Sequence, residues 1–297
     1  MTTAIPEPTC PPHDAHPRRP GVDVPALACD AHAHVCGPHE TYPLIPERLY
    51  TPPNASPADF RHMLDGVGVT RGVLVQPSIY GFDNRAMLDG LATDPQRLRG
   101  VAVVPFDVAD GELDRLHAAG VRGVRMNIVD LKAGKGQLPL DELTALARRI
   151  RRLGWHVEFL MHVDEFPELD KQLADFPVPV VFGHLGYVPT AKGLGTPGFA
   201  ALLRLMRDGI AWVKLTAPYR LTLSAMPYAD VAPFAQALVD AAPERLLWGS
   251  DWPHVFIRTA MPNDGALFDV FASWVPDASV RKRILVDHAA EVYDFPR

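Results

Sequence analysis

LACDAHAH, residues 27–34, is a short apolar run that ends in two histidines spaced two apart. A run of this length, apolar nearly throughout, reads as a strand buried on both faces. The same build recurs along the chain at Arg71–Gln76, Leu98–Pro105, Val121–Asn127, Trp155–Met161, Val178–His184, Ala211–Thr216 and Arg245–Gly249. Amphipathic, helix-length stretches separate the runs. Ser56-Pro57-Ala58-Asp59 offers a cap, a proline at the first helical position and an acid at the third. Leu143, Leu146, Ile150 and Leu153 recur at helical spacing within 140–153, with Arg148, Arg149, Arg151 and Arg152 on the other faces, a solvated helix surface. Stretches 197–208 and 228–241 read similarly, and Gly66, Gly120, Gly154 and Gly209 stand where helices should stop. Strand and helix in strict alternation predict an α/β fold, a single-domain (β/α)8 TIM barrel over residues 26–297. Residues 1–25, rich in proline and histidine and without periodicity, read as a flexible N-terminal tail. An open doubly wound sheet would carry a glycine-rich turn after the first strand, where Cys29-Asp30-Ala31-His32 stands instead.

Composition narrows the function. The chain has 297 residues, 47% hydrophobic and 22% charged, with 29 basic against 35 acidic residues, a net charge of −6. That balance is globular and gives no basic field for nucleic acid. The apolar stretch 176–191 is interrupted by prolines and a histidine, so no membrane span is expected, and the N-terminus has no secretory apolar core. Three cysteines, Cys10, Cys29 and Cys36, are too few and too odd for a disulfide framework and predict a cytoplasmic protein. Cys29, within an apolar strand, reads as a small core residue, and Cys36, just after the histidine pair, lacks the His-plus-acid frame of a nucleophile. Composition leaves homo-oligomerisation open.

Polar groups collect at the C-terminal ends of the predicted strands: His32 and His34; Gln76 and Ser78; Arg125 and Asn127; His162; His184; Tyr219 and Arg220; Asp251 and His254. In a (β/α)8 barrel those ends meet at one mouth, where active sites lie. Residues two apart on a strand share a face, so His32 and His34 can bind a cation or polarise an oxygen together. Asp251 sits in WGSDWP, residues 248–253, where Gly249 reads as the residue of a tight turn. Its carboxylate can take a proton from water, or simply cap the turn. His184 reads as a site residue or as a satisfied core histidine.

DAHAH (30–34), GHLG (183–186) and GSDWPH (249–254), with VQPSIYGFDN (75–84), GVRGVRMN (120–127) and MPYADV (226–231), resemble the amidohydrolase superfamily. Within it they resemble the lactonase branch and its 2-pyrone-4,6-dicarboxylate lactonases, over residues 26–295. The resemblance implies hydrolysis of a small anionic lactone in aromatic-compound or sugar-acid breakdown. It makes Asp251 the general base, sets His32, His34 and His184 around the lactone carbonyl, and gives Tyr50, Ser78, Arg125 and Arg220 the substrate carboxylates. It implies that no metal is required. Zinc is the alternative, held by His32, His34, His184 and Asp251, with His162 able to replace His184. The pattern's second arginine after Arg125 is replaced by Leu131, with Lys132 beside it, and its strand-five tyrosine is missing from 155–161. Both departures point toward a muconolactone-like or sugar-acid lactone. Other readings of the same residues are a zinc-dependent non-oxidative decarboxylase, a lactone isomerase and a non-catalytic binding barrel.

Overall fold

The computed structural model describes residues 9–129 and 138–296. Eight parallel strands follow one another around a nearly closed barrel: β1 Cys29–Ala33, β2 Arg71–Val75, β3 Leu98–Ala102, β4 Val121–Asn127, β5 His156–Leu160, β6 Val180–Phe182, β7 Ala211–Leu215 and β8 Leu246–Trp248. Helices α1 Pro57–Val67, α2 Arg85–Ala92, α3 Asp110–Ala118, α4 Leu140–Ile150, α5 Leu169–Leu173, α6 Pro197–Arg207 and α7 Ala232–Ala241 make the crossovers. Three more, α8 Asp264–Trp274, α9 Ala278–Lys282 and α10 His288–Tyr293, follow β8. This is the (β/α)8 barrel expected, with seven of the eight strands shorter than their apolar runs and β4 matching its own. The barrel closes where Asp251 N–H donates to His32 O at 2.8 Å and His34 N–H to Trp252 O at 2.7 Å.

Local chemistry explains most of the element ends. Ser56 caps α1 in a full capping box with Asp59. That helix runs through Gly66 and stops at Gly68, whose φ of 92° suits glycine. Gly66 serves packing instead: a Cβ there would lie 2.6 Å from Pro17. Helix α7 begins at Ala232, later than the apolar pattern suggests, because Tyr228 takes a left-handed φ of 56°. The arginine run ending α4 reaches α3, where Arg149 pairs with Asp110 and Arg152 with Asp114 on the surface. Exposed pairs of this kind contribute about 0–1 kcal/mol each.

An irregularity in β1 decides what faces the mouth. Cys29 and Ala31 pack in an inner cluster with Val73, Val101, Val181 and Leu247, whereas Ala33 packs in the outer, helix-covered cluster. Strict alternation would put Ala33 on the inner face as well. Between Asp30 and Ala33 the register with β2 shifts, as in a β-bulge. Past the bulge, His32 and His34 belong to the mouth. Gly249 is needed here as well, for close approach and not for a turn. Its φ is not left-handed, and a Cβ would sit 2.7 Å from His32 N and 2.8 Å from His32 Cβ.

The opposite end of the barrel is plugged by the C-terminal segment. Tyr293 and Phe295 join the inner cluster. The Arg71 and Arg99 guanidinium groups lie 5.1 and 4.6 Å from the centre of the Phe295 ring, and both donate to backbone carbonyls of that segment. From Thr9 onward, the stretch read as a tail lies against the barrel. Cys10 N–H donates to Thr51 O, Phe256 N–H to Cys10 Sγ, and Arg18 pairs with Asp269 at 2.6 Å. The His13 ring packs 4.7 Å from that of Trp252.

Candidate active site

A cleft of about 100 Å³ opens at the C-terminal ends of the strands. His34, Tyr50, Ser78, Arg125, His184, Arg220 and Asp251, all singled out in the sequence, line it together. Leu49, Val129, Leu160, Val255 and Phe256 give it apolar walls, and Asn127 and Tyr187 complete it. His32 lies buried beside the lining, its ring 5.0 Å from that of His34 and 5.1 Å from that of His184. Leu131 and Lys132 fall outside the described residues.

Asp251 is the centre of the arrangement. It is fully buried at a left-handed φ of 67°. Its Oδ2 accepts from Tyr219 Oη at 2.8 Å and from Arg220 Nε at 2.8 Å, with Arg220 Nη2 at 2.7 Å. Burial alone would raise its carboxyl; Arg220 and the neighbouring imidazoles more than reverse that and hold it well below the usual carboxylate range. Its Oδ1 has no hydrogen-bond partner among the described residues and lies 3.5 Å from His32 Nε2 and 3.6 Å from His34 Nε2.

Burial pushes all three imidazoles down, His32 to about 3 and His184 well below its ordinary value, so each is neutral near pH 7. His34 Nδ1 is 2.7 Å from Val75 O. A carbonyl only accepts, so Nδ1 carries the proton and Nε2 presents a lone pair toward Asp251. His184 stands at a φ of 50°, with Nδ1 buried and without a partner among the described residues.

Beneath these groups lies a buried ionic pair. Lys214 Nζ donates to Glu158 Oε2 at 2.6 Å and lies 3.2 Å from His32 Nδ1. Glu158 Oε1 is 3.1 Å from His32 Nδ1. Burial would raise the Glu158 carboxyl, but Lys214 and His32 hold it well below its ordinary value. Sequence reading left this pair without a role. The available signal was a lysine inside the apolar strand AWVKL, since a buried charge needs a partner. A second buried chain was also missed: Tyr219 Oη is 2.9 Å from His254 Nδ1, and His254 Nε2 is 3.1 Å from Asp264 Oδ1. This ties the loop after β8 to α8. Asp30, raised by burial to about 7, accepts from Ser250 N–H and Oγ–H and from His32 N–H, fixing β1 to β8.

Arg125 is buried with Nη1 donating to Gln76 O at 3.0 Å, while Nε has no partner among the described residues. Arg220 instead spends Nε and Nη2 on Asp251 and Val255 O. Tyr50 is buried, which pushes its phenol up, and Ser78 lines the cleft with it. His162 Nδ1–H donates to Tyr187 O at 2.7 Å, and the ring stays off the cleft lining. Ligand atoms of His32, His34 and Asp251 lie within 4.8 Å of one another, close enough to share a cation. Two imidazole nitrogens and a carboxylate oxygen suit Zn²⁺. His184 is not in that set.

Comparison with known proteins gives this geometry its relatives. The amidohydrolase family model matches residues 29–295. A 2-pyrone-4,6-dicarboxylate hydrolase of Comamonas testosteroni is 40% identical over 288 residues, 94% of each chain. A 4-sulfomuconolactone hydrolase of Rhizobium radiobacter is 36% identical over 272 residues, 91% of each. Among crystal structures, a probable 2-pyrone-4,6-dicarboxylic acid hydrolase of Acinetobacter baumannii superposes with a TM-score of 0.80 at 31% identity, covering 91% of this chain and 100% of that one. The protein belongs to the amidohydrolase family.

Proposed function

We propose that the protein hydrolyses a small anionic lactone, with Asp251 activating the water. The observation that carries this reading is Asp251 Oδ1, a buried carboxylate oxygen without a hydrogen-bond partner among the described residues, between His32 and His34 at the cleft. Lactone hydrolases among the relatives support the substrate class.

A water between Asp251 Oδ1 and the lone pair of His34 Nε2 meets two acceptors and has two protons to offer. As its oxygen attacks the lactone carbonyl carbon, one proton passes to Asp251. Negative charge grows on the carbonyl oxygen, toward His32 and His184, where positioned donors lower the barrier. The ring C–O bond then breaks, and Asp251 returns the proton to the leaving oxygen. Arg125, with Tyr50 and Ser78 across the cleft, holds the anionic group of the substrate. Arg220 fixes the rotamer of Asp251 and balances its charge. Because Arg220 also makes Asp251 a weak base, the site suits an activated ester better than an amide.

His32, His34 and Asp251 fit a divalent cation, which when bound would polarise the carbonyl and acidify water. In the reading proposed, Asp251 and the imidazoles act without one. The enzyme is expected to keep its turnover after dialysis against a chelator. Stoichiometric zinc by elemental analysis, with activity lost on its removal and regained on its return, overturns that expectation.

A pH-monitored screen of dicarboxylate, sulfonated and sugar-acid lactones tests the function itself. Ring opening by water releases one proton per turnover. Isomerisation without proton release, or CO2 evolution from an aromatic acid, would replace hydrolysis by the isomerase or decarboxylase reading. Arg125→Met is expected to raise KM for the best lactone by about 2–3 kcal/mol, the worth of a charge-assisted hydrogen bond, or roughly 30- to 150-fold. An unchanged KM removes Arg125 from the substrate's anionic group.

A further inference from the structure

We propose that Lys214 is a positioning residue that fixes the tautomer of His32, placing its proton on Nε2 and so deciding between a proton-donating site and a metal-binding one. This rests in part on the lactonase reading, but its test does not.

Two neighbours compete for His32 Nδ1. Glu158 Oε1, at 3.1 Å, would take an N–H; the Lys214 ammonium, hydrogen-bonded at 3.2 Å, needs a lone pair. An ammonium has only donors, and Glu158 already receives one of its protons at 2.6 Å. The other end of the ring breaks the tie. Val75 O fixes the His34 proton on Nδ1, so His34 Nε2 is an acceptor. Asp251 Oδ1, ionised, is another. Were His32 Nε2 also a lone pair, three buried acceptors would meet around Asp251 Oδ1, at 3.5 and 3.6 Å from it, and the attacking water has only two protons for the three. Buried polar groups are costly when unpaired. A proton on His32 Nε2 faces Asp251 Oδ1 at 3.5 Å, without a hydrogen bond between them, and is left to meet the carbonyl oxygen when substrate is bound.

Two histidines two residues apart thus hold opposite tautomers. His34 accepts from the water and His32 donates to the oxyanion. The reverse tautomer of His32, bonded to Glu158, would expose the three lone-pair donors that a divalent ion requires. Lys214 stabilises the first state and opposes the second. A partner on the far ring nitrogen orients the histidine in many sites; here the partner is a cation, and it selects against the metal.

The experiment is two-dimensional ¹H–¹⁵N spectroscopy of the imidazole rings in ¹⁵N-histidine-labelled, metal-free protein, with His32 assigned by its loss in His32→Gln. The expected wild-type pattern is Nε2–H for His32 and Nδ1–H for His34. Lys214→Met is expected to switch His32 to Nδ1–H, and to tighten zinc binding, read by competition with a chromophoric chelator, at least tenfold. With a lactone substrate, kcat should fall more than KM changes. A wild-type His32 with its proton on Nδ1 overturns the proposal without any substitution being made, and remains decisive if Lys214→Met does not fold. A folded Lys214→Met that keeps the Nε2–H pattern or gains no zinc affinity overturns the role of Lys214. Failure to find lactone turnover bears on the function and leaves the spectral and zinc readings intact.

Discussion

Asp251→Asn is expected to lower kcat by about 10²- to 10⁴-fold, the usual contribution of a positioned general base, with little change in KM. Asparagine keeps the shape and an oxygen that can accept from Arg220 and Tyr219, which today converge on Oδ2. What it loses is the basicity of Oδ1. Its amide would even offer a proton toward His34 Nε2, whose lone pair faces this oxygen at 3.6 Å. The substitution therefore inverts the local hydrogen-bond polarity as well as removing the base. Steady-state kinetics on the best lactone, with circular dichroism to confirm the fold, checks it. Turnover within threefold of wild type would remove Asp251 from proton transfer. An equal loss of kcat and kcat/KM is the pattern of an interaction made in the transition state.

The barrel was legible because each strand is a continuous apolar run followed by a polar end. Val121–Asn127 is both the run and the strand, while Leu98–Pro105 shortens to Leu98–Ala102 because Val103 N–H turns to the Asn84 side chain. The mouth was legible for the same reason: topology alone brings His34, Arg125, His184 and Asp251 to one cleft. What the pattern could not show is pairing across the barrel. Lys214 and Glu158 are 56 positions apart, and only the three-dimensional arrangement of β5 and β7 sets one against the other. Nor does composition reveal the bulge in β1 that turns both histidines inward, or that Gly249 exists to let β8 pass close to His32. The chain Tyr219–His254–Asp264 depends on where the loop after β8 returns to α8. Single residues carry no signal of such partners until the fold has been assembled.

Glu158→Leu is expected to destabilise the protein by about 3–5 kcal/mol, because it leaves the Lys214 ammonium buried without its carboxylate. Against a usual total of about 5–15 kcal/mol, that is a large fraction. The double variant Glu158→Leu/Lys214→Met removes both charges at similar volume and should recover most of the loss, since a buried pair replaced whole by apolar side chains is often near neutral. Urea unfolding midpoints of the wild type, both single variants and the double close the cycle. A loss below about 1 kcal/mol for Glu158→Leu, or a double variant no more stable than the single, would mean that water reaches the pair and screens it. The pH dependence has a definite sign. Glu158 is held well below its ordinary value of 4.5 in the folded state. Its contribution is complete above that pH and fades as pH falls toward the folded value, because only the unfolded chain takes up the proton at first. The gap between wild type and Glu158→Leu should therefore be widest near neutrality and narrow below pH 4.5. A gap that widens on acidification would place the stabilising charge on some other group.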